Sequence, residues 1–187
     1  MVVLRDKISD ERFERYMTAM KNQRADNWDG WEAANQADIS LNALYIGILE
    51  KDGDLLNKVK EGLGSEMFSY STGNGWHEDG SYVDHDVFAY TGGYGSVLIT
   101  AMEKMMPLVA GTEYELTHGD ERDTFYDDII FNNYVPTHYA GRIFDMVSGR
   151  SITRVTTQDR QSAGQLAVFA DALSQEKGAQ LRSIVKQ

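Results

Sequence analysis

Apolar residues recur at helical spacing over most of the chain, and polar, glycine-rich stretches separate the runs. Ser9 is a suitable N-cap, Asp10 and Glu11 favour the first turn, and Phe13, Tyr16, Met17 and Met20 form one side, which predicts a helix over residues 9–21. Ile39, Leu41, Leu44, Tyr45, Ile48 and Leu49 predict a second helix from Asn35 to Leu49, ended by Lys51-Asp52-Gly53. Leu55, Leu56, Val59, Leu63, Met67 and Phe68 give a third over residues 54–70, and so short a connection implies an antiparallel α-hairpin. The periodicity resumes over residues 93–108 through Val97, Leu98, Ala101, Met102 and Met105, with Pro107 and Gly111 closing the run. Asp120 is a candidate N-cap for a helix over residues 121–133, which carries Phe125, Ile129 and Ile130 inward before Pro136 interrupts the pattern. Residues 138–147 read as a short strand or extended segment, and helices over residues 159–173 and 175–186 finish the chain.

Two loops break this helical sequence. Residues 22–34 contain Trp28 and Trp31, which either plug the core or offer a platform for stacking sugar rings. The longer one runs from Gly73 to Gly95 and holds six glycines, two of the four histidines, and Trp76, Tyr82, Tyr90 and Tyr94. Each interior glycine costs a helix about 1 kcal/mol relative to alanine, so this stretch reads as a long structured loop. Glycine permits close backbone approach to a ligand, and His and Tyr supply groups that move protons, which marks an active-site loop.

Composition narrows the class. The chain of 187 residues suffices for one domain, 42% of it is hydrophobic and 25% charged, and no linker, repeat or low-complexity tract divides it. No apolar run approaches the ~20 residues that span a bilayer, so no membrane is expected, and no secretory signal is legible at the N-terminus. Zero cysteines exclude disulfides and thiolate metal sites. A formal charge of −11 argues against nucleic acid as a partner and requires a local basic cleft for any acidic polymer.

The candidate chemistry lies in three places. Asp79-Gly80-Ser81-Tyr82-Val83-Asp84-His85 is followed by Tyr90-Thr91-Gly92-Gly93-Tyr94-Gly95, with His85 and Tyr94 nine positions apart. Downstream stands Met146-Val147-Ser148-Gly149-Arg150-Ser151-Ile152-Thr153-Arg154, and upstream Ala34-Asn35-Gln36. Each has a structural alternative: His85 as a hydrogen-bonded structural residue, Tyr94 as a packed aromatic, Arg150 and Arg154 as a solvated pair or ligands to helix C-termini, and Asn35 as an N-cap. His77, Glu78, Asp79, Asp84, His85 and Asp86 invite a metal-site reading, but their spacing matches no named motif.

Together the three motifs resemble polysaccharide lyase family 8, which contains hyaluronate, chondroitin and xanthan lyases. The resemblance implies an all-α fold, a partial (α/α) toroid of antiparallel helical hairpins with a long glycine-rich active-site loop. It covers the later part of the family's helical domain, so residues 1–187 are expected to form a single truncated domain without the family's β-sheet region. A second copy or partner chain would then cover the open toroid. The implied reaction is β-elimination at a uronate-containing glycan outside the cell, with neither metal nor organic cofactor. Asn35 would bind the substrate carboxylate, His85 or Tyr94 would take the proton beside it, Tyr94 would protonate the leaving oxygen, and Arg150 would offset charge. Arg154, Trp28, Trp31 and Trp76 are the candidate substrate-binding residues. The alternatives are a glycan-binding or structural helical module that retains these residues without turnover, and a metal hydrolase.

Overall fold

The computed structural model describes residues 2–23, 30–64, 70–116, 125–153, 166–167 and 170–186. The chain is mostly helical, with α1 (Asp10–Gln23), α2 (Ala33–Glu50), α3 (Gly53–Gly64), α4 (Ser96–Val109) and α5 (Gln175–Val185). Trp28, Arg154, Met67, Phe68, Asp120 and most of the helix expected over 159–173 lie outside the described residues.

The hydrophobic pattern explains the packing. Phe13 and Met17 of α1, Leu41, Leu44 and Ile46 of α2, Leu55, Val59 and Leu63 of α3, and Leu98, Ile99, Met102 and Met105 of α4 join one buried cluster. Helix α2 is its centre, because it packs against α1, α3 and α4 and therefore buries more than one stripe. Its buried alanines Ala33, Ala34, Ala37 and Ala43 keep these contacts close. Helix α2 ends at Lys51 in the left-handed conformation (φ 58°), and the Asp52 carboxylate accepts from Leu55 N–H at 3.0 Å to cap α3. This two-residue connection turns the chain back, giving the expected α-hairpin. A Cβ at Gly47 would come within 2.7 Å of the Leu56 side chain, so glycine sets the separation of the pair.

Several elements differ from the sequence expectation. Residues 73–95 are not one loop: they contain a three-stranded antiparallel meander, β1 (Gly75–Trp76), β2 (Tyr82–Asp84) and β3 (Phe88–Ala89), in spatial order β1-β2-β3. Thr91–Gly95 then forms a π-helical turn that leads into α4, so α4 starts later than predicted and continues past Pro107 to Val109. Phe125–Tyr134 is π-helical, which shifts its register away from the expected α-helical face while keeping Ile129 and Ile130 buried. The extended segment is a hairpin of β4 (His138–Tyr139) and β5 (Arg142–Ile143), followed by 3₁₀ turns at Asp145–Val147 and Gly149–Thr153.

One core side chain bears directly on stability. Glu103, on the buried face of α4, is 9% exposed and its Oε2 has no hydrogen-bond partner among the described residues. Burial raises its carboxyl above the ordinary carboxylate value, outweighing the opposing charge of Lys104. The folded chain therefore holds this proton to higher pH than the unfolded chain. Stability from this site is present below the unfolded value and is lost as pH rises through the folded one. Glu103→Gln is expected to stabilise the chain at neutral pH by about 1 kcal/mol, or ~2–4 °C in melting temperature. The gain should vanish at pH values where the parent glutamate is protonated in both states. Thermal melts of both proteins at neutral and acid pH check this, and equal melting temperatures at neutral pH would refute it.

Candidate active site

The meander grips the first turn of α2 and presents its own β2–β3 turn beside it. Tyr82 and Asp84 are buried on the same face of β2, with the half-buried Val83 between them. The Ala34 backbone amide, one of the orphan donors of the α2 N-terminus, lies beside the Tyr82 hydroxyl, which donates to Asp84 Oδ2 at 3.5 Å. Asp84 Oδ1 accepts from the His85 backbone N–H at 2.9 Å. Burial pushes the Tyr82 phenol far up, and pushes the Asp84 carboxyl up despite the bonds it accepts. A second tie runs from Asn74 Nδ2 to Glu32 Oε2 at 3.2 Å, while Asn74 Oδ1 accepts from the Asp86 amide at 3.1 Å.

His85 and Asp86 both occupy the left-handed region (φ 52° and 67°), a strained pair for non-glycine residues at the tip of the turn. This geometry turns the His85 imidazole toward the π-helical turn and the Gly149–Thr153 segment. Its ring meets Tyr94 edge-on at 4.9 Å between centroids, and Arg150 Nη2 stands 2.7 Å from His85 Nε2. A guanidinium only donates, so Nε2 must be the accepting nitrogen and the ring proton resides on Nδ1. Asp84 Oδ1 lies 3.9 Å from the same Nε2. Tyr90 completes the aromatic group at 5.1 Å from Tyr94 and 6.1 Å from His85.

The structure thus brings His85, Tyr94 and Arg150 into one contact cluster. Asn35 is exposed in the first turn of α2 and is linked to that cluster through its neighbour Ala34, Tyr82 and Asp84. It is not the N-cap: that position belongs to Glu32, whose carbonyl accepts from the Asn35 amide at 3.1 Å. Trp31 is 45% exposed, which excludes the core-plug role and leaves its face open to solvent. Trp76 must be corrected. It is 2% exposed and packs edge-on against Tyr82 at 5.0 Å, so it is a core residue with no face for a sugar. Sequence reasoning missed Tyr82, Asp84 and Tyr90; the alternation over Tyr82–Asp84 was the available signal, in a strand of three residues.

Two of the residues that invited a metal-site reading are occupied otherwise. His77 Nε2 bonds the Gly73 carbonyl at 2.7 Å, and Asp79 accepts from the Ser81 amide and hydroxyl. Among the described residues, no group of three or more His, Cys, Asp or Glu side chains is arranged to hold a metal ion. No helix among them is long and apolar enough to cross a membrane.

The fold and site define a helical domain in which an imidazole on a short meander meets a phenol on a π-helical turn and a guanidinium on a 3₁₀ segment. The chain belongs to polysaccharide lyase family 8, whose N terminal alpha-helical domain matches residues 1–187. It is 30% identical over 194 residues to a hyaluronate lyase of Thermasporomyces composti, covering 98% of this chain and 24% of that protein. Against a xanthan lyase of Bacillus sp. (strain GL1) the identity is 34% over 183 residues, covering 91% of this chain and 19% of that protein. The fold matches that of the Streptomyces coelicolor A3 chondroitin AC lyase in complex with chondroitin sulphate, with a TM-score of 0.80 at 24% identity over 95% of this chain and 26% of that one. Paenibacillus xanthan lyase gives a TM-score of 0.78 at 23% identity, over 98% of this chain and 18% of that one. The chain therefore spans about a quarter or less of the length of these relatives.

Proposed function

We propose that this chain carries the acid–base centre of a lyase that cleaves a uronate-containing glycan of the hyaluronan or chondroitin type by β-elimination. The observation that carries the reading is the contact cluster of His85, Tyr94 and Arg150 at the rim of the α2 N-terminus. Membership of the family and the printed names of its relatives support the substrate class.

The reaction removes the proton from the carbon that bears the carboxylate. Its electron pair forms a carbon–carbon double bond to the neighbouring carbon, the glycosidic carbon–oxygen bond on that neighbour breaks, and the departing oxygen takes a proton. The first proton is far too weakly acidic to leave unaided. Arg150 occupies His85 Nε2, so Tyr94 is assigned both proton transfers: its ionised oxygen takes the proton as base, and the phenol so formed gives it to the departing oxygen as acid. His85, neutral and protonated on Nδ1, presents a donor to the substrate. Asn35 bonds the substrate carboxylate, favouring the enolate-like intermediate, and Arg150 balances the charge that develops. Trp31, exposed just before α2, is assigned a stacking role; Trp28 and Arg154 keep theirs as expectations from sequence. The product carries an unsaturated uronate end, and the substrate is encountered outside the cell.

Incubating the chain with hyaluronan, chondroitin and xanthan while following ultraviolet absorbance of the conjugated uronate tests the proposal. A rising signal with at least one polymer, unaffected by a chelator, is the expected result. Affinity for these polymers with a flat trace would replace the lyase by a glycan-binding module. A signal lost on chelation would point to metal-assisted chemistry instead.

A further inference from the structure

We propose that Tyr90 is a positioning residue: its ring, held between Gly93 and Gly149, docks the Arg150 segment on the His85–Tyr94 pair and thereby fixes which imidazole nitrogen carries the proton. The inference deepens the lyase reading and rests on it for its effect on rate.

The Tyr90 backbone is fixed from both sides. Its amide donates to the Tyr82 carbonyl at 2.7 Å, and its carbonyl accepts from Gly93 at 3.0 Å and Gly95 at 3.1 Å, which ties β2 to the π-helical turn. The side chain is 3% exposed and its hydroxyl lies 3.2 Å from Ser151 Oγ. A Cβ at Gly149 would stand 2.5 Å from Tyr90 Cδ2, and one at Gly93 would overlap the same ring. Gly149 also has φ +51°, where a side chain is strained. Tyr90 therefore touches the residue on each side of Arg150, before it through Gly149 and after it through Ser151.

This double contact matters because Arg150 itself is exposed and reaches His85 by a long, freely rotating side chain. Only a fixed backbone delivers its guanidinium reproducibly to Nε2. The tautomer of an imidazole is set by the bond its other nitrogen makes, so the docking of Gly149–Thr153 is read out chemically at His85.

Long-range proton–nitrogen NMR correlations on the full chain labelled at histidine nitrogen test the proposal. The parent should show His85 with its proton on Nδ1. Tyr90→Leu removes the ring, and Gly149→Ala leaves it in place but pushes against it, so one variant remains informative if the other fails to fold. Each folded variant is expected to show a mixture of the two His85 tautomers and a kcat lower by about 10²-fold, with a smaller change in KM. Tyr90→Phe keeps the ring between the glycines and should restore the Nδ1 tautomer and most of the rate. A folded Tyr90→Leu or Gly149→Ala chain that keeps the Nδ1 proton would overturn the proposal. The tautomer shift read in a chain without lyase turnover would uphold the docking role while the lyase reading falls.

Discussion

Tyr94→Phe is expected to abolish formation of unsaturated product. The substitution deletes one oxygen and leaves the ring, so the edge-on contact with His85 at 4.9 Å and the tilted contact with Tyr90 at 5.1 Å both persist. Tyr94 is only partly buried against the core, and the packing lost is negligible. What disappears is the proposed carrier of two protons. A single positioned acid or base contributes about 10²–10⁴-fold, and here the same hydroxyl serves both steps, so the loss in kcat should reach the upper end of that range. KM should change little, because a phenol that acts on protons in flight contributes mainly to the transition state. Initial rates from ultraviolet absorbance, alongside thermal melts of parent and variant, decide the matter. Melts that coincide while the rate collapses are the expected pair. A variant that retains the parent rate would remove Tyr94 from the chemistry and shift the base role to His85, whose Nε2 would then have to part from Arg150.

The helical frame was legible because its signal is long. Phe13 and Met17, Leu55, Val59 and Leu63, and Leu98, Met102 and Met105 recur every three or four positions in helices of three or more turns, and each of these residues is buried in the fold. The meander was not legible for the opposite reason. Its strands are two or three residues long, too short for alternation to outweigh the glycines between them. Those glycines instead mark turns and close approaches, as at Gly80, whose positive φ of 84° closes the turn between β1 and β2. The candidate site divides along the same line. His85, Tyr94 and Arg150 stood out by residue type and by motif order, and Arg150 reaches His85 across 65 positions of sequence. Tyr82, Asp84 and Tyr90, which hold them, gave no sign of that supporting role, since a buried hydroxyl or carboxylate declares itself only through the partners the fold supplies. Trp76 misled for the same reason: an indole in a glycine-rich stretch resembles a sugar platform until Tyr82 is seen packed against it.

Arg150→Ala should produce the second large effect, with a different signature. The guanidinium lies 2.7 Å from His85 Nε2 and is exposed, so its removal leaves no cavity in the core and no buried group unpaired. The fold should therefore survive with an unchanged melt. The site loses its fixed cation in a protein of formal charge −11, where the approach of an acidic polymer depends on such local positive charge. Loss of one preorganised electrostatic group costs about 10²–10³-fold in kcat. KM should rise as well, because the same charge meets the substrate before reaction. Arg150→Lys separates the two contributions. It restores the charge and hence much of the KM, but the ammonium lacks the planar fork that holds the imidazole, so kcat should recover only in part. Added methylguanidine, which brings back both charge and donor geometry, should raise the rate of Arg150→Ala and leave the parent unaffected. Steady-state kinetics on the three proteins at two salt concentrations check the whole pattern. Full recovery of kcat by lysine would show that charge alone matters, and that the bond to His85 Nε2 contributes nothing to turnover.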